Sequence, residues 1–135
     1  MTKILFVCKN NQFRSKVSEA FFKKLNKNKK HKVKSAGIID NRGRYYNKNV
    51  AKKYGVKCKG EPTPLSYGAL RWADLVIITA SNIPKRTLRI DDKGKYNYKL
   101  KKWNAKDVYD GDKKKVEKTL DFLWGKVNKL AGELG

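Results

Sequence analysis

Short apolar runs and alternating segments occur at four places along the chain. Residues 5–7 form a continuous apolar run, and residues 74–79 contain a second run of Leu, Val and Ile. Such runs are typical of strands buried on both faces of a sheet. Residues 32–36 alternate between polar and apolar side chains before Gly37, and residues 100–103 form a further short segment. The pattern therefore predicts four strands.

Apolar residues recur at helical spacing between these strands and after the last one. A helix is predicted to begin at Ser15, and its apolar positions are Val17, Ala20, Phe21 and Leu25. A long amphipathic helix is predicted over residues 113–134, with one side formed by Val116, Leu120, Leu123, Trp124, Val127 and Leu130. These two helices account for most of the helical signal in the chain.

The connecting segments carry turn signals and three shorter helical patterns. Residues 38–46 contain tyrosine and glycine and are predicted to form a surface loop. Residues 47–54 are predicted to form a short helix ending at Gly55, since glycine readily adopts the left-handed conformation of a helix cap. A proline-containing turn at residues 61–64 leads into another short helix, and residues 84–88 are predicted to form a helical turn.

Strands that alternate with helices predict an α/β fold. We expect a three-layer domain in which a four-stranded, mostly parallel, twisted sheet has helices on both faces and a phosphate-binding loop after the first strand. No repeat, linker or low-complexity segment divides the 135 residues. A chain of this length can bury one core without disulfides, so residues 1–135 are predicted to form one domain.

Candidate chemistry is concentrated in the segment that follows the first strand. Cys8 is followed by five residues, then by Arg14 and Ser15, where the first helix begins. Free backbone N–H groups and the positive end of the helix dipole favour a bound oxyanion at such a place, and they also favour a thiolate. The segment is therefore predicted to form a phosphate-binding loop with Cys8 as its nucleophile.

This loop resembles the opening of the low-molecular-weight protein tyrosine phosphatases. The residues that carry the resemblance are Leu5, Phe6, Val7, Cys8, Asn11, Arg14, Ser15, Ser18, Glu19 and Ala20. Further landmarks follow in the order expected for the family, at residues 35–37, 55–56, 74–77, 81–82 and 107–111. The resemblance spans essentially the whole chain. It implies a phosphate-monoester hydrolase that dephosphorylates phosphotyrosine in proteins and needs neither metal nor cofactor.

The resemblance implies a catalytic role for three residues. Cys8 would attack phosphorus in line and form a phosphocysteine intermediate. Arg14 would hold two equatorial phosphate oxygens through its planar guanidinium group. Asp107 would protonate the leaving phenolate and then activate the water that releases phosphate. Asp110 and Asp112, nearby in the sequence, are the alternative candidates for this acid.

Other residues would shape and line the site. The backbone amides that complete the phosphate cradle belong to Lys9, Asn10, Asn11, Gln12, Phe13 and Arg14. Ser15 would donate a hydrogen bond to the thiolate, and Asn11 would hold the loop in shape with Ser35 as its partner. Tyr109 would form one aromatic wall of the substrate pocket, and Tyr45 or Tyr46 is a candidate for another.

Several positions depart from the family pattern. Val108 replaces a proline that stiffens the acid-bearing loop, so this loop is expected to be looser. Thr79 and Gly60 stand where the family has an aspartate and a histidine that support the site. Lys9 and Gln12 stand where apolar side chains line the ring slot, and Lys9 there would favour acidic or multiply phosphorylated ligands.

The chain is strongly basic, with 34 Lys and Arg against 12 Asp and Glu and a formal net charge of +22. Only six of the basic residues are arginine, whereas recognition of nucleic acids favours the planar arginine group. The explanation of the charge that we favour is a lysine-rich solvated surface. Attraction of acidic partners is the second explanation, and nucleic-acid binding is the third. Tyr96 and Tyr98, which lie among lysines, are the candidates for nucleic-acid contacts.

The remaining sequence features favour a reducing cytoplasm, and we expect a monomer or weak dimer. The chain has two cysteines, no secretory signal pattern and no apolar run near the roughly 20 residues of a membrane span. Cys58 lies in a lysine-rich loop and is expected to be incidental. His31 is expected on the surface, which argues against a histidine metal site or a Cys-His protease pair.

Two other functions fit part of the pattern. Arsenate reductases related to the family use the same loop, but they need resolving cysteines after the third strand, and residues 80–90 contain none. A phosphate-recognition or nucleic-acid-binding module would keep the loop and turn over slowly. Hydrolysis of a simple aryl phosphate distinguishes such a module from a phosphatase.

Overall fold

A four-stranded parallel sheet with the strand order β2-β1-β3-β4 organises the molecule. The computed structural model describes residues 1–88, 96–108 and 111–135. The strands are β1 (Lys3–Cys8), β2 (Lys32–Gly37), β3 (Leu75–Ile78) and β4 (Lys99–Lys102). The helices are α1 (Arg14–Leu25), α2 (Tyr67–Trp72) and α3 (Lys113–Leu134), and short 3-10 turns lie at Lys52–Tyr54 and Lys85–Thr87.

The alternation of side chains along β1 divides the core between the two faces of the sheet. Ile4 and Phe6 pack on one face with α1 and α3, while Leu5 and Val7 pack on the other face with α2. All four side chains are fully buried, and each contributes on the order of 1.5–3 kcal/mol of hydrophobic stabilisation. The helices thus cover both faces of the sheet, which confirms the predicted three-layer α/β fold.

Two tryptophans belong to the core on the α1–α3 side, as their positions in the sequence predict. Trp103 is 7 % exposed and lies 5.6 Å from the ring of Phe6. Trp124 packs against Phe21 and Tyr54, with ring centroids 5.0 and 4.8 Å away. These aromatic contacts fix α3 against α1 and the sheet.

The predicted helix over residues 47–54 is mostly wrong, since only its last turn is helical. The side chain of Asn47 accepts a hydrogen bond from the backbone N–H of Asn49 at 3.0 Å. Such a local side-chain contact offers the backbone an alternative to helical hydrogen bonding. Gly55 does adopt the left-handed conformation, with φ of 74°, and ends the 3-10 turn.

His31 is buried, and the prediction of a surface position is wrong. Its Nδ1 accepts a hydrogen bond from the backbone N–H of Thr2 at 3.0 Å, and its Nε2 lies 3.3 Å from the carbonyl oxygen of Leu134. The histidine therefore lies between the first and last residues of the described chain. A basic stretch of sequence gives no sign of contacts with partners so distant along the chain.

The carboxyl ends of all four parallel strands lie at one edge of the sheet. After β1 the chain passes through α1 to β2, at one edge of the sheet, whereas β3 and β4 lie on the other side of β1. The direction in which strands are added therefore reverses between β1 and β3. Crevices at such a reversal are where open α/β sheets bind ligands. Within the described residues, no helix is long and apolar enough to span a membrane.

Candidate active site

The loop between β1 and α1 folds tightly around the sulfur of Cys8. Asn11 adopts a left-handed conformation with φ of 54°, which turns its backbone N–H to within 3.2 Å of Cys8 Sγ. Ser15 Oγ lies 2.9 Å from the same sulfur. Because Ser15 Oγ accepts a hydrogen bond from Asn11 Nδ2 at 2.7 Å, its own hydrogen is free to point at the sulfur. Two donors thus stabilise negative charge on Cys8.

Asn11 holds the loop, but its partners differ from the one predicted. Its Oδ1 accepts a hydrogen bond from the backbone N–H of Thr63 at 2.8 Å. Ser35 instead donates to Glu19 Oε1 at 2.6 Å, so the predicted pair of Asn11 and Ser35 is wrong. The partner comes from the proline-containing turn 61–64, which sequence reasoning treated only as a connection.

Gly37 allows the end of β2 to lie directly against this loop. A Cβ at Gly37 would lie 2.7 Å from the carbonyl carbon of Asn10 and 2.8 Å from the backbone nitrogen of Asn11. These contacts are with backbone atoms, which cannot rotate away. The absence of a side chain at this position is therefore a condition for the shape of the loop.

Gly37→Ala is expected to destabilise the fold by about 1–3 kcal/mol and to weaken phosphate binding, because the added methyl group displaces the loop. Denaturant unfolding and calorimetric titration with phosphate measure the two effects. Gly125→Ala in α3 is the control, since its added Cβ has no neighbour within 4 Å apart from the local backbone of α3, and helical alanine stabilises. If Gly37→Ala keeps the stability and phosphate affinity of the wild type, the close approach at Gly37 does not constrain the loop.

Arg14 is the first residue of α1, and it is only 3 % exposed. Its Nη1 donates to the carbonyl oxygen of Ala105 at 3.0 Å and to Asn82 Oδ1 at 3.3 Å, while its Nη2 lies 4.0 Å from Asp107 Oδ1. Ala105 and Asn82 are neutral acceptors, so they orient the guanidinium group without cancelling its charge. Sequence reasoning used Asn82 only as a landmark and missed Ala105.

The segment after β4 carries Asp107, whose side chain is 61 % exposed. The carbonyl oxygen of Ala105, two residues earlier, also accepts a hydrogen bond from the backbone N–H of Ser81 at 2.9 Å. This carbonyl therefore ties the segment to both Arg14 and the turn after β3. Val108 gives no proline restraint at this place, and Tyr109, the predicted substrate wall, lies outside the described residues.

Cys8, Arg14 and Asp107 line a single cleft of about 330 Å³. The remaining lining residues are Asn10, Gln12, Phe13, Tyr45, Tyr46, Asn47, Val50 and Val108. Lys9 is exposed and does not line the cleft, contrary to expectation, whereas Gln12 does so and donates to the carbonyl oxygen of Tyr45 at 3.2 Å.

The two tyrosines beside the cleft differ in environment. Tyr46 is buried, its hydroxyl donates to the carbonyl oxygen of Gly60 at 2.6 Å, and burial raises the pKa of Tyr46 to about 12. Tyr45 is 88 % exposed at the rim. Tyr46 therefore belongs to the scaffold, and the ring of Tyr45 is available to a ligand.

Cys58 lies apart from this cleft. It packs in the core cluster on the α1–α3 side, whereas Cys8 belongs to the cluster on the α2 side. Burial raises the pKa of the Cys58 thiol to about 11, so this thiol is neutral at physiological pH. No group of three or more metal-binding side chains is present in the described parts of the chain.

A loop that joins the first strand to the first helix of a parallel sheet, with cysteine at its start and arginine at its end, is typical of cysteine-dependent phosphatases. The sequence profile of the low molecular weight phosphotyrosine protein phosphatases matches residues 3–135, and the chain belongs to this family. The resemblance seen in the sequence is thereby confirmed. No curated protein sequence matches the chain significantly.

Solved structures with this fold have different activities. A protein tyrosine phosphatase from Entamoeba histolytica aligns with a TM-score of 0.85 and 24% identity, covering 99% of this chain and 97% of its own. The YwlE arginine phosphatase from Geobacillus stearothermophilus aligns with a TM-score of 0.83, 22% identity and coverages of 99% and 93%. An arsenate reductase from Archaeoglobus fulgidus aligns with a TM-score of 0.72, 23% identity and coverages of 96% and 98%. At these identities the likeness shows the fold alone.

Proposed function

We propose that this phosphatase hydrolyses phosphotyrosine in proteins through a phosphocysteine intermediate, with Cys8 as nucleophile, Arg14 as phosphate clamp and Asp107 as general acid and base. The observation that carries the proposal is that these three side chains line one cleft. Nucleophile, charge clamp and proton donor are the groups that hydrolysis of a phosphate monoester requires.

In the first step, the Cys8 thiolate attacks phosphorus opposite the phenolic oxygen. A P–S bond forms as the P–O bond breaks, and protonated Asp107 donates its proton to the departing oxygen. In the second step, water attacks phosphorus and gives a proton to Asp107, and the P–S bond breaks to restore the thiolate. The two donors on Cys8 Sγ, Ser15 Oγ and the Asn11 amide, stabilise the thiolate as a leaving group in this step.

Arg14 would compensate the charge of the transferred phosphoryl group in both steps. Its Nη1 is held by Ala105 and Asn82, which fixes the plane of the guanidinium group before substrate binds. A group oriented in advance stabilises the transition state without reorganisation at the moment of reaction. Thr79, which stands where the resemblance implies an aspartate, donates to the carbonyl oxygen of Val7 and supplies no charge beside Arg14. The acceptors of Arg14 Nη1, Ala105 and Asn82, are neutral.

An aromatic leaving group suits the walls of the cleft. Phe13 and Tyr45 lie on its lining together with the aliphatic side chains of Val50 and Val108. Since the related fold of YwlE belongs to an arginine phosphatase, the substrate has to be established by comparison of phosphotyrosine, phosphoarginine and phosphoserine peptides of one sequence. We expect the largest kcat/KM with phosphotyrosine.

Asp107→Asn is expected to lower kcat/KM for phosphotyrosine about 10²–10³-fold, but by less than about tenfold for an aryl phosphate with a good leaving group. A poor leaving group needs the proton in the transition state, and a good one leaves as the anion. Steady-state kinetics on a series of aryl phosphates measures the difference.

Asp112→Asn is the matched control for this variant. Asp112 caps α3 by accepting a hydrogen bond from the backbone N–H of Lys115 at 3.1 Å, and asparagine caps equally well. We expect this variant to have wild-type kinetics. If Asp107→Asn lowers kcat/KM equally for good and poor leaving groups, Asp107 is not the general acid. Asp110, another carboxylate nearby in the sequence, lies outside the described residues.

The environment of Cys58 favours hydrolysis over arsenate reduction. A redox cycle needs a second thiol that can reach Cys8 as a thiolate. Cys58 is 1 % exposed, lies in the other core cluster and is neutral at physiological pH. The thiol nucleophile itself requires reducing conditions, which supports the expectation of a cytoplasmic protein.

The exposure of Asp107 is the observation that favours the second candidate, a phosphate-binding module with weak turnover. A carboxylate that is 61 % exposed, on a segment without its proline, donates a proton less efficiently than a fixed one. Turnover of p-nitrophenyl phosphate by the wild-type protein supports the enzyme. Binding of phosphate without turnover supports the module.

A further inference from the structure

A second cavity adjoins the catalytic cleft and shares one of its walls. It has a volume of about 450 Å³, and residues 45–47 line both cavities. We call it the basic groove; its other lining residues are Gly43, Arg44, Lys48, Asn49, Lys57, Gly60 and Glu61. A molecule bound in the cleft can therefore continue directly into this groove past Tyr45.

The groove carries an excess of positive charge. Arg44, Lys48 and Lys57 are exposed, and none of them forms an ion pair with another of the described residues. Glu61 is the one acidic residue on the lining, and its Oε2 accepts a hydrogen bond from the backbone N–H of Gly43 at 3.0 Å. A concave surface lined by one sign of charge concentrates the field, so the groove attracts anions.

The positive surface continues beyond the groove. Lys57 also lines a neighbouring hollow of about 290 Å³, whose other charged residues are Lys16, Lys23, Lys24, Lys59 and one acidic residue, Glu19, which forms an ion pair with Lys23 at 3.1 Å. Lys16 is 5 % exposed and donates to the carbonyl oxygen of Lys59 at 3.1 Å, and burial lowers the pKa of Lys16. The cleft and the groove thus share residues 45–47, and the groove and the hollow share Lys57, so lysine side chains extend beyond the groove on the side away from the cleft.

We propose that the basic groove binds acidic side chains that flank the phosphorylated residue, so that the preferred substrates of the enzyme are acidic phosphoproteins. This inference rests on the proposed function, since it places the phosphorylated residue in the cleft. An extended chain advances about 3.3–3.6 Å per residue, so residues one to three positions from the phosphorylated one reach a cavity that shares its wall.

A peptide fits these observations better than a nucleic acid. Surfaces that bind single strands combine positive charge with successive aromatic rings, and Tyr45 is the one strongly exposed ring on the described lining of the groove. Tyr96 and Tyr98 precede β4 and therefore lie toward the amino ends of the strands, away from the cleft. Both pack against the core cluster on the α2 side, and the hydroxyl of Tyr98 donates to the carbonyl oxygen of Leu88.

The test compares two phosphotyrosine peptides that differ only in carrying two glutamates or two glutamines within three residues of the phosphotyrosine. For the wild type at low salt, we expect kcat/KM to be about tenfold higher for the acidic peptide, mainly through KM. In Lys48→Gln/Lys57→Gln this ratio should fall to about 2. Arg44→Gln should lower it by about 3-fold, and 0.5 M salt should reduce it in the wild type.

Lys29→Gln/Lys30→Gln is the matched control, because it removes the same charge from an exposed turn before β2, at the opposite end of the sheet. We expect the control to keep the tenfold ratio. A ratio near 1 in the wild type overturns the proposal, and an equal fall in the control overturns it by showing that only the overall charge matters. Stronger competition by a single-stranded oligonucleotide than by an acidic unphosphorylated peptide overturns it in favour of nucleic acid.

Hydrolysis of p-nitrophenyl phosphate by the wild type separates failure of this inference from failure of the proposed function. If the aryl phosphate is hydrolysed and the two peptides react equally, only the inference about the groove is wrong. If the aryl phosphate is not hydrolysed, the proposed function is wrong, and the inference that rests on it is overturned with it.

Discussion

Cys8→Ser is expected to reduce hydrolysis of p-nitrophenyl phosphate by about four orders of magnitude or more, while the protein still folds and binds phosphate. Serine fits the space of the thiol between Ser15 Oγ and the amide of Asn11, but its hydroxyl is a far weaker nucleophile at neutral pH. The phosphate cradle that we propose consists of backbone amides and Arg14, which this substitution leaves in place.

Single-turnover kinetics measures the chemical step, and calorimetric titration with phosphate measures binding. Cys58→Ala is the control, because it removes the other thiol of the chain from a buried position in the opposite core cluster. We expect it to retain wild-type kcat and to lose about 1 kcal/mol of stability. Substantial activity in Cys8→Ser, or loss of activity in Cys58→Ala, would contradict the assignment of the nucleophile.

Arg14→Lys is expected to lower kcat/KM for aryl phosphates about 10²–10⁴-fold. The guanidinium group of Arg14 lines the cleft and uses Nη1 to contact Ala105 and Asn82, so its Nη2 and Nε are not needed for these two contacts. A single ammonium group cannot satisfy both of those acceptors and hold two phosphate oxygens at the same time. The loss should appear in kcat as well as in KM, since the clamp acts on the transition state.

The control for this variant is Arg71→Lys, an exposed substitution in α2 that keeps charge and side-chain type. We expect it to have wild-type kinetics. Phosphate affinity measured for both variants separates lost ground-state binding from lost transition-state stabilisation. Wild-type kcat/KM in Arg14→Lys would show that one positive charge near the cleft is sufficient and that the planar clamp has no special role.

The order of strands and helices could be predicted because each element has its own local signal. The bounds of α3, Lys113–Leu134, agree with its apolar spacing, and the buried runs in β1 and β3 lie where the sequence places them. The segment before Gly55 was mispredicted because Asn47 competes locally for backbone hydrogen bonds. Such competition depends on one side-chain conformation, which composition does not reveal.

Some residues of the candidate site could also be predicted from the sequence, and others could not. Cys8, Arg14 and Ser15 could be identified because they lie at the two ends of one short loop between β1 and α1, where their spacing in the sequence limits their geometry. The partners of Asn11 could not, because Thr63 reaches it from 52 residues away and Ser35 turns to Glu19 instead. The contact between Arg14 and Ala105 joins residues 91 apart through a backbone carbonyl, which has no sequence signature.

By itself, the sequence determined the α/β class, the strand–loop–helix unit with its thiol and guanidinium, and the excess of lysine, since all of these are properties of local order and composition. Tertiary structure alone decided which acceptors orient Arg14, why Gly37 has no side chain, and that Arg44, Lys48 and Lys57 line a groove open to the cleft. The physical reason is that these features depend on distances between segments far apart in the chain, and packing sets such distances only when the whole sheet has formed.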